Sequence, residues 1–137
     1  WILTRNQAAA EVTTLLSQFT QDPTVFLLAT SAILFFLGML MDATALIIAL
    51  APLLAPVALN FGVEPLHFGL VFVMTVMIGM ITPPVGIILF ITSAVADLKV
   101  EALSRAIVPF VIAEMIVVLL VIFFPAISTW IPRVAGF

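Results

Sequence analysis

Long apolar runs, punctuated by short clusters of proline, glycine, asparagine and acidic residues, set the layout of the chain. Residues 1–21 are less apolar than the rest. Val12, Leu15, Leu16 and Phe19 recur at helical spacing there, while Arg5, Gln7, Glu11, Thr14 and Gln18 occupy much of the remaining surface. That pattern predicts an amphipathic connector at a membrane interface or the end of a scaffold helix. Asp22-Pro23 then reads as a helix start, with Asp at the N-cap and Pro at the first helical position. Residues 24–41 are almost wholly apolar and close on Gly38-Met39-Leu40-Met41-Asp42; a second run, 43–60, carries Pro52 and Pro56 and stops at Asn60-Phe61-Gly62. At about 1.5 Å per residue each run is roughly 26 Å long, just short of a full bilayer core. Two layouts fit residues 22–62: a pair of ordinary spanning helices with Asp42 among the headgroups, or a re-entrant helical hairpin whose tip, 38–44, sits inside the protein.

Glu64-Pro65 opens the next element, which covers 63–97 and is interrupted at Gly79-Met80-Ile81-Thr82-Pro83-Pro84-Val85-Gly86. Two adjacent prolines remove two backbone donors and crowd the preceding turn, so an α-helix cannot pass unbroken. The arms on either side, about 66–80 and 86–97, are each too short to span alone. Together they fit one discontinuous transmembrane helix; two short helices forming a second hairpin are the alternative. Residues 98–108 hold the most charged loop and read as a short interfacial helix. Pro109 begins the last run, 109–133, long enough to cross once, with Trp130 and Arg133 as interface anchors and Pro125 bending its end.

Composition makes the membrane reading firm. Of 137 residues, 65% are hydrophobic and 8% charged, and mean hydropathy is +1.42. A soluble domain is about a quarter charged; 4 basic and 7 acidic side chains could not cover a water-exposed fold of this length. The chain is therefore expected to be an all-α integral membrane protein. A net charge of −3 offers no basic patch for nucleic acid. The absence of cysteine removes disulfides and thiolate metal sites. The first residue is Trp1, which points to a fragment of a longer polypeptide.

Few residues carry candidate chemistry. Asp42 would hold or attract a cation at the hairpin tip, or would cap the second helix through the N–H of Thr44 or Ala45; a carboxylate in lipid needs one such partner. Thr82, with carbonyls freed between Gly79 and Val85, supplies the hard oxygen ligands that suit a small alkali cation. The helix beginning near Gly86 would aim its N-terminus inward as an anion site. The bland alternative is that Thr82 caps a helix N-terminus and the prolines make only a kink. Glu114 is either a proton-binding group or a side chain facing a neighbouring helix. His67, near a helix start, is expected at the interface rather than as a ligand. Enzyme readings find no support, since no H-E-x-x-H, G-x-S-x-G or phosphate-binding glycine loop is present.

Several stretches resemble the large membrane subunit of the tripartite ATP-independent periplasmic (TRAP) transporters, in its C-terminal part. They are Phe36-Leu37-Gly38-Met39-Leu40-Met41-Asp42-Ala43-Thr44-Ala45, Ala51-Pro52-Leu53-Leu54-Ala55-Pro56, His67-Phe68-Gly69, Ile78-Gly79-Met80-Ile81-Thr82-Pro83-Pro84-Val85-Gly86 and Leu103-Ser104-Arg105-Ala106-Ile107-Val108-Pro109-Phe110. The resemblance runs over about 20–133.

It implies a fold and a function beyond what spacing gives. The chain would be one half of an inverted-repeat elevator transporter, multi-pass in the bacterial inner membrane, with 22–62 as its hairpin and 63–97 as its broken helix. Sodium would be the coupling ion, with no other cofactor. Gly38, Asp42 and Thr44 at the tip, and Gly79, Thr82, Pro83 and Val85 at the break, would be sodium-site positions; Pro84 and Gly86 would border the substrate cavity. Implied partners are the N-terminal remainder of the large subunit, a small four-helix membrane subunit, a periplasmic substrate-binding protein and an organic-acid substrate such as a C4-dicarboxylate or a sialic acid. With the first repeat missing, this chain alone should not transport. A non-transporting membrane assembly module, or a carboxylate carrier of another hairpin-containing family, stands as the alternative. Glu114 has no place in the family pattern.

Overall fold

The structure, a computed structural model, describes Thr14 and residues 21–136. The connector expected over 1–21 lies outside the described residues, Thr14 and Gln21 apart. The rest is helix and turn: α1 (Pro23–Leu40), α2 (Ala43–Asn60), α3 (Pro65–Ile81), α4 (Ile87–Ala96), α5 (Val100–Phe123) and α6 (Ala126–Val134). Three of these, α1, α2 and α5, are long and apolar enough to cross a membrane, while α3 and α4 are shorter apolar helices.

Local chemistry accounts for the ends. Asp22 caps α1, its carboxylate accepting from the Thr24 N–H at 2.9 Å, with Pro23 at the first helical position. Gly62, at φ +76°, closes α2: its N–H donates to the Leu59 carbonyl at 2.9 Å, and that of Val63 reaches back to Ala58 at 3.0 Å. This paired bonding satisfies carbonyls that a helix end otherwise leaves open. Pro52 and Pro56 stay inside α2 without interrupting it. Membrane helices absorb isolated prolines in this way when neighbours re-satisfy the freed carbonyls. Adjacent Pro83 and Pro84 do stop α3, and Thr82 before them is extended (φ −88°, ψ 128°), the conformation that a following proline favours.

The sequence pattern sets an interfacial helix, 98–108, apart from a spanning segment, 109–133. The backbone instead runs without a break from Val100 to Phe123, through Pro109, and turns only at Phe124-Pro125. Pro109 removes one donor and crowds the carbonyl four residues back, but a single lost bond does not divide a helix whose other turns are intact. The side chain of Arg133, expected as an anchor, lies outside the described residues.

Helix directions come from ring and backbone contacts. Phe26, near the start of α1, stacks on Phe61 just past the end of α2 (centroids 4.7 Å apart, planes within 10°), so α1 and α2 form an antiparallel pair. Phe26 also meets Phe68 in the first turn of α3 at 6.5 Å. At the other end, a Cβ on Gly38 would fall 2.7 Å from the Val76 carbonyl oxygen. One on Gly79 would fall 2.5 Å from that of Phe35 and 2.9 Å from the Gly38 Cα. Helices α1 and α3 therefore run parallel, side by side, with their C-terminal ends in backbone contact. Helix α3 touches every other described helix, and the core centres on it through Phe68, Val71, Phe72 and Val76.

His67, in the first turn of α3, packs inside the protein against α6. It is 3% exposed, and its Nδ1 lies 2.6 Å from Ser128 Oγ on α6. The Ser128 hydroxyl also donates to the Pro125 carbonyl at 2.8 Å, so Nδ1–H of His67 is the donor to Ser128, and buried Nε2 has no partner among the described residues. Local sequence could not place this ring: its partner is 61 residues away.

Two stability measurements test these contacts. Gly79→Ala forces α1 off α3 and should cost about 1–3 kcal/mol, as overpacking does; thermal unfolding of the purified permease in detergent reads it, and an unchanged Tm contradicts the close crossing. Ser128→Ala strands a buried imidazole N–H and should destabilise by about 1–3 kcal/mol, whereas adding His67→Leu removes the stranded donor and should recover most of that loss.

Candidate functional site

The C-terminal ends of α1 and α3 share one level, and each helix gives way there to a non-helical segment. After α1 the chain turns through Met41 and Asp42 into α2; after α3 it passes through 82–86 into α4. Glycines at 38 and 79 make this possible. Both are buried, and both lack the side chain that would hold the backbones apart. Small residues of this kind let membrane helices approach closely where no hydrophobic force drives them together.

At the hairpin turn, Asp42 is exposed and is the N-cap of α2. Its Oδ2 accepts from the N–H of Thr44 at 2.7 Å and, more weakly, of Ala45 at 3.4 Å. The capping alternative for Asp42 is therefore realised, and the Thr44 side chain also hydrogen-bonds the carboxylate. Thr44 is exposed beside it.

At the break, Thr82 is the C-cap of α3, not an N-cap. Its hydroxyl donates to the Ile78 carbonyl at 2.5 Å and its N–H to the Gly79 carbonyl at 3.1 Å. With its proton spent on Ile78, Oγ1 keeps lone pairs facing away from the helix. Pro83 is half-buried, Pro84 and Val85 are exposed, and the Pro83–Pro84 peptide is cis. Gly86 is buried, left-handed at φ +34°, and folded over the end of α3. A Cβ there would lie 2.9 Å from the Thr82 carbonyl oxygen and 3.1 Å from that of Met80. The αL backbone and the crowding both require glycine. Gly86 is also the N-cap of α4 and has no side chain to offer, so the first N–H groups of α4 stay free of a side-chain acceptor.

The break thus sets the carbonyl end of one helix against the N–H end of another, with opposite partial charges close together. The structure brings Gly38 to Gly79 directly, and Gly86 to Thr82. It does not join the two turns by a hydrogen bond among the described residues: Asp42 bonds its own helix, and Thr82 its own. The carbonyls of Met80 and Thr82 converging on Gly86 could not be singled out from sequence, because that contact depends on the left-handed turn at Gly86. A separate apolar cleft of about 350 Å³ lies between α1, α3 and α5 against Ser31, Phe35, Thr75 and Met115, and it touches none of these positions.

Interrupted helices that expose backbone donors and acceptors beside one another, in a chain with spanning helices on either side, are the construction by which membrane carriers hold ions and substrates. The chain belongs to the DctM family: the family model described as "Tripartite ATP-independent periplasmic transporter, DctM component" matches residues 1–127. It is 34% identical over 135 residues to the C4-dicarboxylate TRAP transporter large permease protein DctM of Pseudomonas aeruginosa, covering 98% of this chain and 32% of that protein. It is 35% identical over 133 residues to the sialic acid TRAP transporter large permease protein SiaM of Vibrio cholerae, covering 97% and 31%. With the isethionate TRAP transporter permease protein DctMQ of Oleidesulfovibrio alaskensis it shares 36% identity over 126 residues, covering 92% and 20%. The chain spans a third or less of the length of these relatives. The family is one of transporter components, not enzymes.

Capping by Asp42 has a direct readout. Asp42→Ala should speed hydrogen exchange at the Thr44 and Ala45 amides, while Asp42→Asn, which still caps, should leave them protected. Equal exchange in the two variants would remove Asp42 from the cap.

Proposed function

We propose that this chain is the C-terminal part of the large permease of a sodium-driven TRAP transporter for small organic anions. The contact of Gly38 with Gly79 carries the reading, because it sets the hairpin turn and the helix break side by side. Residues 22–62 serve as a re-entrant hairpin and 63–97 as one discontinuous crossing; 98–133 supply the helix that borders them. Gly38, Asp42 and Thr44 from the turn, and Gly79, Thr82, Pro83 and Val85 from the break, contribute the sodium site. Oxygen is the ligand an alkali cation takes, and the nearby oxygen atoms are those of the Asp42 carboxylate, Thr82 Oγ1 and the carbonyls ending α3. The negative end of α3 adds to the attraction.

Pro84 and Gly86 border the substrate. The uncapped N–H groups of α4 suit an acid group, which fits the C4-dicarboxylate, sialic acid and isethionate named for the relatives. Sodium bound between turn and break would order both and so complete the anion site beside them, coupling the two ligands. The hairpin and broken helix then move together as a transport domain in an elevator cycle, in the inner membrane. They do so with the rest of the large subunit, a small membrane subunit, and a periplasmic binding protein that delivers the substrate.

Uptake into proteoliposomes by the intact transporter with its binding protein tests this. Thr82→Ala should raise the sodium concentration for half-maximal uptake by about tenfold, the factor for one lost ligand worth ~1.4 kcal/mol. Thr82→Ser should stay near wild type, and Asp42→Asn should weaken sodium dependence even though it caps α2. Undiminished sodium dependence in Thr82→Ala and Asp42→Ala together would sink the assignment.

A further inference from the structure

One ionisable side chain has no part in the turn or the break. Glu114 is the sole Asp, Glu, Lys or Arg between Arg105 and Arg133. It sits in α5, a helix long and apolar enough to span. At about 1.5 Å per residue it lies roughly 20 Å from the start of α5 and roughly 14 Å from its end. That is deep within any bilayer α5 crosses. The side chain is exposed, and among the described side chains none pairs with it. A carboxylate left facing lipid at that depth is strongly disfavoured, and such residues face a partner or a polar cavity.

Glu114 ends one wall of a cleft of about 560 Å³. Leu103, Ala106, Ile107, Phe110 and Ala113 continue that wall, and Ile81, the last residue of α3, closes the cleft on the other side. The α5 positions recur every three or four residues, which is one face of a helix and the spacing of a helix–helix seam. Ala106 and Ala113 lie two turns apart on that face and would let another backbone approach, while Phe110, 68% exposed, stands between them as an uncovered anchor.

We propose that this cleft seats a transmembrane helix from the part of the same permease polypeptide that lies outside this chain, and that the helix presents a Lys or Arg side chain to Glu114. Three observations select this occupant. The seam has the period of a packed helix, which a lipid chain does not need. A Lys or Arg is the partner that keeps the carboxylate at its end ionised at that depth. The relatives are at least three times as long as this chain, so most of each permease remains to be packed against it, and a helix on the same polypeptide is held at high local concentration. Nothing in this docking depends on sodium binding or on the nature of the substrate.

The test uses the full-length permease in its native membranes, with p-benzoylphenylalanine in place of Phe110 and Glu114 intact. Irradiation should give an intramolecular cross-link, mapped by mass spectrometry to a membrane helix carrying Lys or Arg within a turn of the captured residue. Glu114→Lys should then lower the yield of monodisperse permease by about tenfold or more, as breaking one side of a buried pair does. Exchanging the mapped basic residue for Glu in the same protein should restore that yield, while uptake measured on restored protein should keep its wild-type sodium dependence. Capture of lipid alone, of a separate subunit, or of a helix without a basic residue would overturn the proposal, as would failure of the charge exchange to restore the yield.

Discussion

Within a bilayer, a peptide group cannot borrow a hydrogen bond from water, and every departure from the helix must be answered by protein, ion or substrate. That constraint organises this chain. Helices α1, α2 and α5 obey it by running unbroken. The turn at 41–42 answers it with the Asp42 carboxylate, which takes the first N–H groups of α2. The stretch 82–86 answers it only in part: Thr82 serves Ile78 and Gly79, while Gly86 has no side chain for α4. The unanswered groups are where ligand chemistry becomes available. Two helix ends meeting there supply both signs of partial charge within one small volume.

Close packing then brings the two irregular segments together. In lipid the usual driving force of burial is weak between helices, and contact depends on how nearly backbones can approach. Gly38 and Gly79 bring two backbones into direct contact, and they fall three residues before each irregular stretch. A methyl group at either position would part the two turns that the proposed site needs side by side.

Much of this is legible in the residues. Asp22-Pro23 and Asn60-Phe61-Gly62 mark helix ends because capping is local chemistry, and the structure places caps there. The Pro83-Pro84 step marks a break for the same reason. Pro109 misleads: one isolated proline does not end the helix, and residues 100–108 form the first turns of α5. Thr82 ends α3 rather than capping the start of a helix, since its own extended backbone, favoured by Pro83, closes the preceding helix. The place of His67 near a helix start suggests the interface. Its burial arises from α6 folding back on α3, a contact no local pattern encodes. The pairing of Gly38 with Gly79 can be suspected from their kind but not from their positions, which become neighbours only because α1 and α3 run parallel.

That parallel pair is fastened differently at its two ends. At one, Phe26 of α1 meets Phe68 of α3 with ring centroids 6.5 Å apart, and at the other two bare backbones touch. Two large side chains stand between the backbones at the ring end, whereas nothing stands between them at the glycine crossing. A tilt of α1 against α3 would turn about the point where the backbones touch, so the ring end would travel further than the polar turns, as the handles of a pair of shears move about the rivet.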